Sequence, residues 1–217
     1  MSGRGEKIRV FLAGEGSNEL GSRVGHPAYQ SDERPGVLHN LLTRAQTSGW
    51  EVGGARDWKS IRKLRVRGAS HEDTHNVVGI ALDAKEAGCE VLAFSRDLDR
   101  DIARRDAIKE GLQRIPFILT TGAPEVIGGV AVPTLEGWIL ALLGERATEE
   151  LTPKQAEAAL ASRGVAAKDG PAMARVAEDA DLGRIPADAI SLTEWLDRAR
   201  EVLPRVVAER LGGVATP

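Results

Sequence analysis

Apolar runs near the start and the middle of the chain predict buried strands. Residues 8–13 (IRVFLA) and 89–95 (CEVLAFS) carry apolar side chains at both odd and even positions. Successive side chains of a strand point to opposite faces, so this pattern is typical of strands covered on both faces in a parallel sheet. The run WEVGGA at 50–55 predicts a weaker strand, and residues 116–121 (PFILTT) and 126–133 (VIGGVAVP) predict short strands or extended segments.

Segments with helical spacing of apolar residues alternate with these runs. The predicted helices cover residues 37–49, 71–87, 102–115 and 134–144. For the second, Ser70 is a candidate N-cap with Asp73 three residues later, and Gly88 is well placed to end the helix. The alternation predicts an α/β fold with a mostly parallel sheet, helices on both faces, and a ligand site at the carboxyl ends of the strands.

The last third of the chain is rich in alanine and charge, and its three helical segments are each bounded by glycine or proline. We therefore predict two regions. Residues 1–144 form a catalytic α/β domain, and residues 145–217 form a helical C-terminal extension.

Composition narrows the classes of protein. The formal net charge of -3 over 217 residues argues against a protein that coats nucleic acid through a generally basic surface, although a local basic groove is compatible with it. The single cysteine, Cys89, cannot form an intrachain disulfide. The start of the chain does not have the pattern of a signal peptide, and no segment has the composition of a transmembrane helix. We therefore expect a cytoplasmic protein without a membrane partner.

Two pairs of acids follow the buried strands: Glu15 and Glu19 after the first, Asp97 and Asp99 after the later one. Alternation along an extended chain would place Asp97 and Asp99 on the same side, so that both could face one hard cation. Mg²⁺ prefers oxygen ligands and keeps several waters, which leaves room for a phosphate. The alternative is that such acids only complement the dipoles of helix N-termini.

These motifs resemble a known family. VFLAGEGSNE followed downstream by VLAFSRDLD resembles the TOPRIM domain, which has a glutamate after its first strand and a D-x-D after a later one. The E-G-x-x-E form is similar to that of the OLD-family nucleases and of small uncharacterised TOPRIM-like proteins. The segment VPTLEGWILA, with Glu136 and Trp138, resembles the segment after the last core strand of those small proteins. The resemblance covers roughly residues 6–143.

The resemblance implies a metal-dependent nuclease. Glu15, Asp97 and Asp99 would be the primary ligands of Mg²⁺ (or Mn²⁺), while Glu19 and Glu136 would complete a second site or hold a water molecule of the metal shell. The implied activity is hydrolysis of phosphodiester bonds in DNA or RNA.

The resemblance also raises questions about partners. OLD nucleases carry an ATPase domain that has no counterpart here, so control by a separate ATPase or another regulatory protein is one expectation, and a homodimer is compatible with the sequence. The rival hypothesis is a non-catalytic nucleic-acid or protein-binding module that keeps the fold.

A basic run over residues 56–67 offers candidate phosphate contacts. Lys59, Arg62 and Lys63 could neutralise a nucleic-acid backbone without reading its sequence. The alternative is a solvated charged face. Arg96, beside Asp97, could contact a substrate phosphate or pair with an acid.

The run HEDTH at residues 71–75 matches the H-E-x-x-H pattern of zinc peptidases. Such a site needs His71 and His75 one turn apart in a buried helix, Glu72 as the base and a third ligand. Polar residues occupy the inner positions, and no third ligand is evident from the sequence. A zinc metallopeptidase is therefore the less favoured hypothesis, and a solvated helix start is preferred.

Overall fold

The structure is a computed structural model that describes residues 7–23, 34–62, 64–166 and 168–212.

A parallel sheet forms the centre of the molecule. Its strands are β1 (Ile8–Gly14), β2 (Trp50–Asp57), β3 (Val91–Asp97) and β4 (Glu125–Ala131). They lie in the order β2-β1-β3-β4, and every neighbouring pair is parallel. The α/β prediction is therefore confirmed.

Helices cover both faces of this sheet. They are α1 (Ser17–Leu20), α2 (Val37–Ala45), α3 (Glu72–Glu86), α4 (Ala103–Ile118), α5 (Leu135–Leu142), α6 (Pro153–Ser162), α7 (Gly170–Asp179) and α8 (Ile190–Gly212). Short 3-10 helices cover Gly21–Arg23, Trp58–Ser60, Thr148–Glu150 and Leu182–Arg184.

The two-sided apolar pattern of β1 supplies two hydrophobic clusters. Ile8, Val10 and Leu12 point into a cluster with α2, α5 and α8, whereas Phe11 and Ala13 point into a cluster with α3 and α4. β3 divides its side chains between the same two clusters. Burying a strand on both faces explains why apolar side chains occupy both odd and even positions of its sequence.

The helix predicted at 71–87 is present, but its N-cap differs. His71 is the cap: its backbone is extended, and its Nδ1 accepts a hydrogen bond of 3.1 Å from the backbone N–H of Asp73. Ser70 lies one residue further from the helix. The Nδ1 atom of the imidazole thus accepts the N-cap hydrogen bond that the sequence pattern predicted for the serine hydroxyl.

The prediction of an extended segment at 116–121 is wrong, because α4 continues through Pro116 to Ile118. Proline removes only one N–H donor, and the helix still closes its last turn with a bond of 2.7 Å from the N–H of Leu119 to the carbonyl of Ile115. Ile115 and Leu119 are both buried in the cluster beneath α3 and α4. Their packing outweighs the proline.

The C-terminal helices complete the core of the sheet domain. Leu160, Met173 and Leu196, from α6, α7 and α8, belong to the same cluster as the inward face of β1. The indole N–H of Trp195 donates a hydrogen bond of 2.9 Å to the carbonyl of Phe94 in β3. The boundary at residues 144 and 145 stays a prediction, but the hydrophobic core runs across it.

Among the described helices, none combines the length and the apolarity that crossing a bilayer would require.

Candidate metal-binding site

Acidic residues lie where strands β1, β3 and β4 give way to the following segments. Glu15 follows β1 directly, and Asp97 is the last residue of β3, the neighbour of β1. Glu19 lies on α1, and Glu136 lies in the first turn of α5, just after β4. Parallel strands bring their carboxyl ends to the same edge of a sheet, so the topology gathers these acids there.

Gly14 allows α1 to pack closely against the end of β1. A Cβ atom at this position would lie 2.5 Å from the Cβ of Glu19, which is closer than real side chains approach. The last residue of β1 must therefore lack a side chain for Glu19 to pack beside it.

Four carboxylates line one cavity of about 350 Å³ at this edge. The full lining is Glu15, Gly16, Ser17, Asn18, Glu19, Asp97, Leu135, Glu136 and Lys168. The cavity therefore joins acids from three separate parts of the chain with one lysine from the C-terminal region.

Backbone N–H groups orient three of these carboxylates. Glu15 Oε1 accepts a hydrogen bond of 3.1 Å from the N–H of Asp97, and Asp97 Oδ1 accepts one of 2.8 Å from the N–H of Leu135. Glu19 Oε2 accepts one of 3.1 Å from the N–H of Gly16. The contacts link the ends of β1 and β3 to the start of α5.

The electrostatics of the cavity favour a positive ligand. Burial raises the pKa of Asp97 to about 9, and the nearby charges of Glu15, Glu19 and Glu136 add to this effect. Burial likewise raises the pKa of Glu19 to about 7, with further contributions from Glu15 and Glu136. A bound cation would offset the repulsion among these groups, so its binding would release protons.

The four carboxylates stand further apart than a closed ligand shell. Among the residues that the structure describes, the only group of three or more possible ligands whose atoms all lie within 4.8 Å of one another is His71, Asp73 and Asp101. There the guanidinium of Arg104 already supplies positive charge, with its Nε 2.8 Å from Asp73 Oδ2. The carboxylate cavity suits Mg²⁺ better, because this ion keeps several waters between itself and its protein ligands.

Asp99 does not join the cavity. β3 ends at Asp97, and Asp99 has a left-handed backbone with a φ of 54°. Its Oδ2 accepts a hydrogen bond of 3.0 Å from Arg104 Nη1. The expectation that Asp97 and Asp99 face one cation assumed an extended chain, and the turn after β3 removes that alternation.

Arg96 pairs with acids, one of the two alternatives expected from the sequence. Its guanidinium makes an ion pair with Glu15 and lies 3.6 Å from Asp73 Oδ1. It also stacks 5.5 Å from the ring centroid of Trp58. Within the described residues this cation therefore acts as the counter-ion of Glu15.

The basic run is partly neutralised within the fold. Arg62 binds both carboxylate oxygens of Glu86 at 2.9 and 2.8 Å, and Arg56 pairs with Asp83 at 3.1 Å. Lys59 is exposed on the 3-10 helix after β2. Lys63 lies outside the described residues.

The two histidines of HEDTH are held by different partners. His71 Nε2 lies 3.1 Å from Asp101 Oδ2, while His75 Nδ1 accepts a hydrogen bond of 3.0 Å from the N–H of Val66. His71 also precedes the helix rather than lying within it. Among the described residues, no group of potential ligands includes both histidines.

Lys168 is the site residue that the sequence did not indicate. It lies between α6 and α7, more than a hundred residues after Glu19, and is brought to the cavity by packing. A Cβ at Gly170, the first residue of α7, would lie 3.0 Å from Asn18 Oδ1, which shows how closely this segment contacts α1. No local sequence pattern reports such a long-range contact.

Comparison with protein-family models, with curated proteins and with solved structures finds no match to this chain. The function of this chain must therefore be inferred from the geometry of the site.

Proposed function

We propose that this chain is a metal-dependent nuclease that hydrolyses phosphodiester bonds of DNA or RNA with Mg²⁺ or Mn²⁺. The observation that carries the proposal is the open cavity at the carboxyl edge of the parallel sheet, lined by Glu15, Glu19, Asp97 and Glu136. The TOPRIM resemblance of the same segments supports the same reaction.

The carboxylates have distinct parts in this proposal. Glu15 and Asp97, joined by the N–H of Asp97, are the ligands closest to the strand ends. Glu19 and Glu136 complete the shell or orient the attacking water. When bound, the cation would lower the pKa of water and stabilise the charge that develops on the phosphate.

Two cationic residues would adjust the site to its substrate. Lys168 lines the cavity together with the acids and is suited to contact a phosphate oxygen. Arg96 makes an ion pair with Glu15 and would share this carboxylate with a bound cation. We also propose that the protein is cytoplasmic and that a separate regulatory protein controls its activity.

The test is cleavage of labelled single- and double-stranded DNA and RNA in Mg²⁺, Mn²⁺ or EDTA. The wild type should cut only with metal, and Asp97→Asn should abolish cutting. Asp197→Asn is the matched control, because Asp197 lies on α8 and its exposed carboxylate pairs only with Arg200. Cutting that persists in Asp97→Asn would contradict the site.

The non-catalytic rival gives a different result in the same experiment. A binding module would retain substrates in a gel-shift assay but would not cut them, even at high protein concentration with Mn²⁺ present. Such a result would overturn the proposed reaction.

A further inference from the structure

The basic run divides into paired and unpaired arginines. Arg56 and Arg62 are neutralised by Asp83 and Glu86 on α3. Arg65 and Arg67 are exposed, and within the described part of the chain neither side chain makes an ion pair or a hydrogen bond. The sequence offered no reason to treat these two pairs differently.

The unpaired arginines border a cavity of about 410 Å³. Its described lining is Arg65, Val66, Arg67, Gly68, Ala69 and His75, and none of these residues is acidic. A smaller adjoining cavity shares Arg65 and His75, and is also lined by Leu64, Glu72 and Asn76. Neither cavity shares a lining residue with the carboxylate site.

The wall of the larger cavity is held in place by the helices behind it. The N–H of Val66 donates to His75 Nδ1 on α3, which leaves the ring proton of the neutral imidazole on Nε2. Arg114 Nη1 on α4 donates a bond of 3.1 Å to the carbonyl of Arg67. The turn then closes with a bond of 3.3 Å from the N–H of Ala69 to the carbonyl of Val66. The two free guanidinium groups therefore extend from an anchored loop.

We infer that this cavity, lined by Arg65, Arg67 and His75, binds a phosphate group of a nucleic-acid strand. Guanidinium groups bind phosphate through two parallel hydrogen bonds, and positive charge without an acid in the lining favours an anion. The inference deepens the proposed function and depends on it for the identity of the ligand. The site would hold the strand by its backbone, independently of base sequence and away from the metal.

The first test is binding of a labelled single-stranded oligonucleotide in EDTA, measured by fluorescence anisotropy over a range of salt concentrations. The double variant Arg65→Gln/Arg67→Gln should bind more weakly, and the slope of log affinity against log salt should fall by about 0.7 for each lost phosphate contact. Arg146→Gln/Arg175→Gln is the matched control, since both arginines are exposed and neither lines the cavity. It should retain the slope of the wild type.

A competition experiment separates the two sources of phosphate. Inorganic phosphate and AMP are added to the complex with the oligonucleotide. A strand site predicts that millimolar competitor displaces little oligonucleotide. Displacement by AMP that is lost in Arg65→Gln/Arg67→Gln would keep the phosphate site but assign it to a small phosphate ester.

Several outcomes would overturn the inference. One is equal binding by the two double variants, and another is a wild type that binds neither oligonucleotide nor phosphate. The third is a loss of binding in Arg65→Gln/Arg67→Gln that accompanies a melting temperature lowered in this variant alone. The binding assay contains EDTA, so its result does not depend on cutting. If the wild type cuts in the presence of metal and Arg65→Gln/Arg67→Gln leaves oligonucleotide binding unchanged, this site is rejected and the nuclease is kept. Arginine-dependent binding without cutting would reject the nuclease and keep this site.

Discussion

Asp97 and Asp99 show how the backbone decides the environment of a side chain. The two residues have the same carboxylate and are separated by Leu98. Asp97 ends a strand and lines the acidic cavity, whereas Asp99 turns to Arg104 and remains about half exposed. One change of backbone direction therefore separates a candidate ligand from the half-exposed partner of a buried arginine.

This difference predicts unequal effects on metal affinity. Asp97→Asn should weaken Mn²⁺ binding by about 100-fold or more, because even residues that only support metal ligands cost about 10- to 100-fold when removed. Asp99→Asn should weaken it by less than about fivefold, the effect expected of an exposed charge. Isothermal titration calorimetry with Mn²⁺ measures both. Equal losses would show that Asp99 reaches the metal.

The raised pKa values of Asp97 and Glu19 predict an unusual pH dependence of stability in the metal-free protein. The unfolded chain releases these protons near its ordinary carboxyl pKa values of 3.8 and 4.5, whereas the folded protein keeps them until about 9 and about 7. The folded state therefore binds more protons within this window, so this contribution to stability is present at low pH and is lost as the pH rises.

Urea unfolding in EDTA between about pH 5 and pH 9 tests this sign. The free energy of unfolding should contain a contribution that declines with pH, and Asp97→Asn should reduce that decline. Added Mg²⁺ should stabilise the wild type most at the alkaline end. A metal-free protein whose pH dependence is unchanged by Asp97→Asn would contradict the prediction.

At the scale of elements, Asp73 ties together three segments that support the site. Its carboxylate accepts hydrogen bonds of 2.9 Å from the indole N–H of Trp58 and 2.8 Å from Arg104 Nε. Asp73 lies at the start of α3, Trp58 follows β2 and Arg104 lies at the start of α4. Asp73 and Arg104 are both buried; Arg104 also pairs with Asp99, and Asp73 also faces Arg96, so the charges of this cluster compensate one another.

Asp73→Ala should therefore destabilise the fold by about 3–5 kcal/mol, because it removes one of the two carboxylates hydrogen-bonded to the buried guanidinium of Arg104 and leaves the buried indole N–H of Trp58 without its acceptor. Asp197→Ala removes a carboxylate from an exposed pair on α8 and should cost less than about 1 kcal/mol. Urea denaturation followed by circular dichroism compares the two variants. A similar small cost for both would mean that solvent or Asp99 compensates Arg104 fully.

At the scale of the whole molecule, the C-terminal helices are part of the core. The rings of Trp138 on α5 and Trp195 on α8 lie 5.9 Å apart, and both side chains are almost completely buried. Ser191 Oγ accepts a hydrogen bond of 2.8 Å from the indole N–H of Trp138. The extension therefore covers one face of the sheet and also supplies Lys168 to the cavity.

A fragment of residues 1–144 should consequently fail to fold cooperatively. It would expose the face of the sheet that α8 covers, and the lost burial of Trp195 alone is worth about 3–5 kcal/mol. Urea titration of the fragment should give no sharp transition, whereas the full chain should give a single one. A cooperative fragment would establish the division at residue 144 as a true domain boundary.

Local patterns predicted much of this architecture. Each of the four strands lies in a run that was predicted as a strand or an extended segment, and the helix at 71–87 follows from apolar periodicity and from the glycine at its end. These signals depend on neighbouring residues. The extended segment at 116–121 was wrong because packing of Ile115 and Leu119 decided the conformation. In the candidate site, Glu15, Glu19 and Asp97 could be found by their positions after strands, whereas Glu136 was implied by the TOPRIM resemblance.

The sequence by itself determined the α/β class, the mostly parallel sheet and the acids that follow its strands, because side-chain periodicity and the alternation of strands with helices can be read along the chain. Only the tertiary structure decided that Asp99 turns away, that Arg96 pairs with Glu15, that Arg65 and Arg67 stay unpaired, and that Lys168 enters the cavity. These outcomes depend on contacts between residues distant in the chain and on the burial of charge. No spacing along the sequence encodes them.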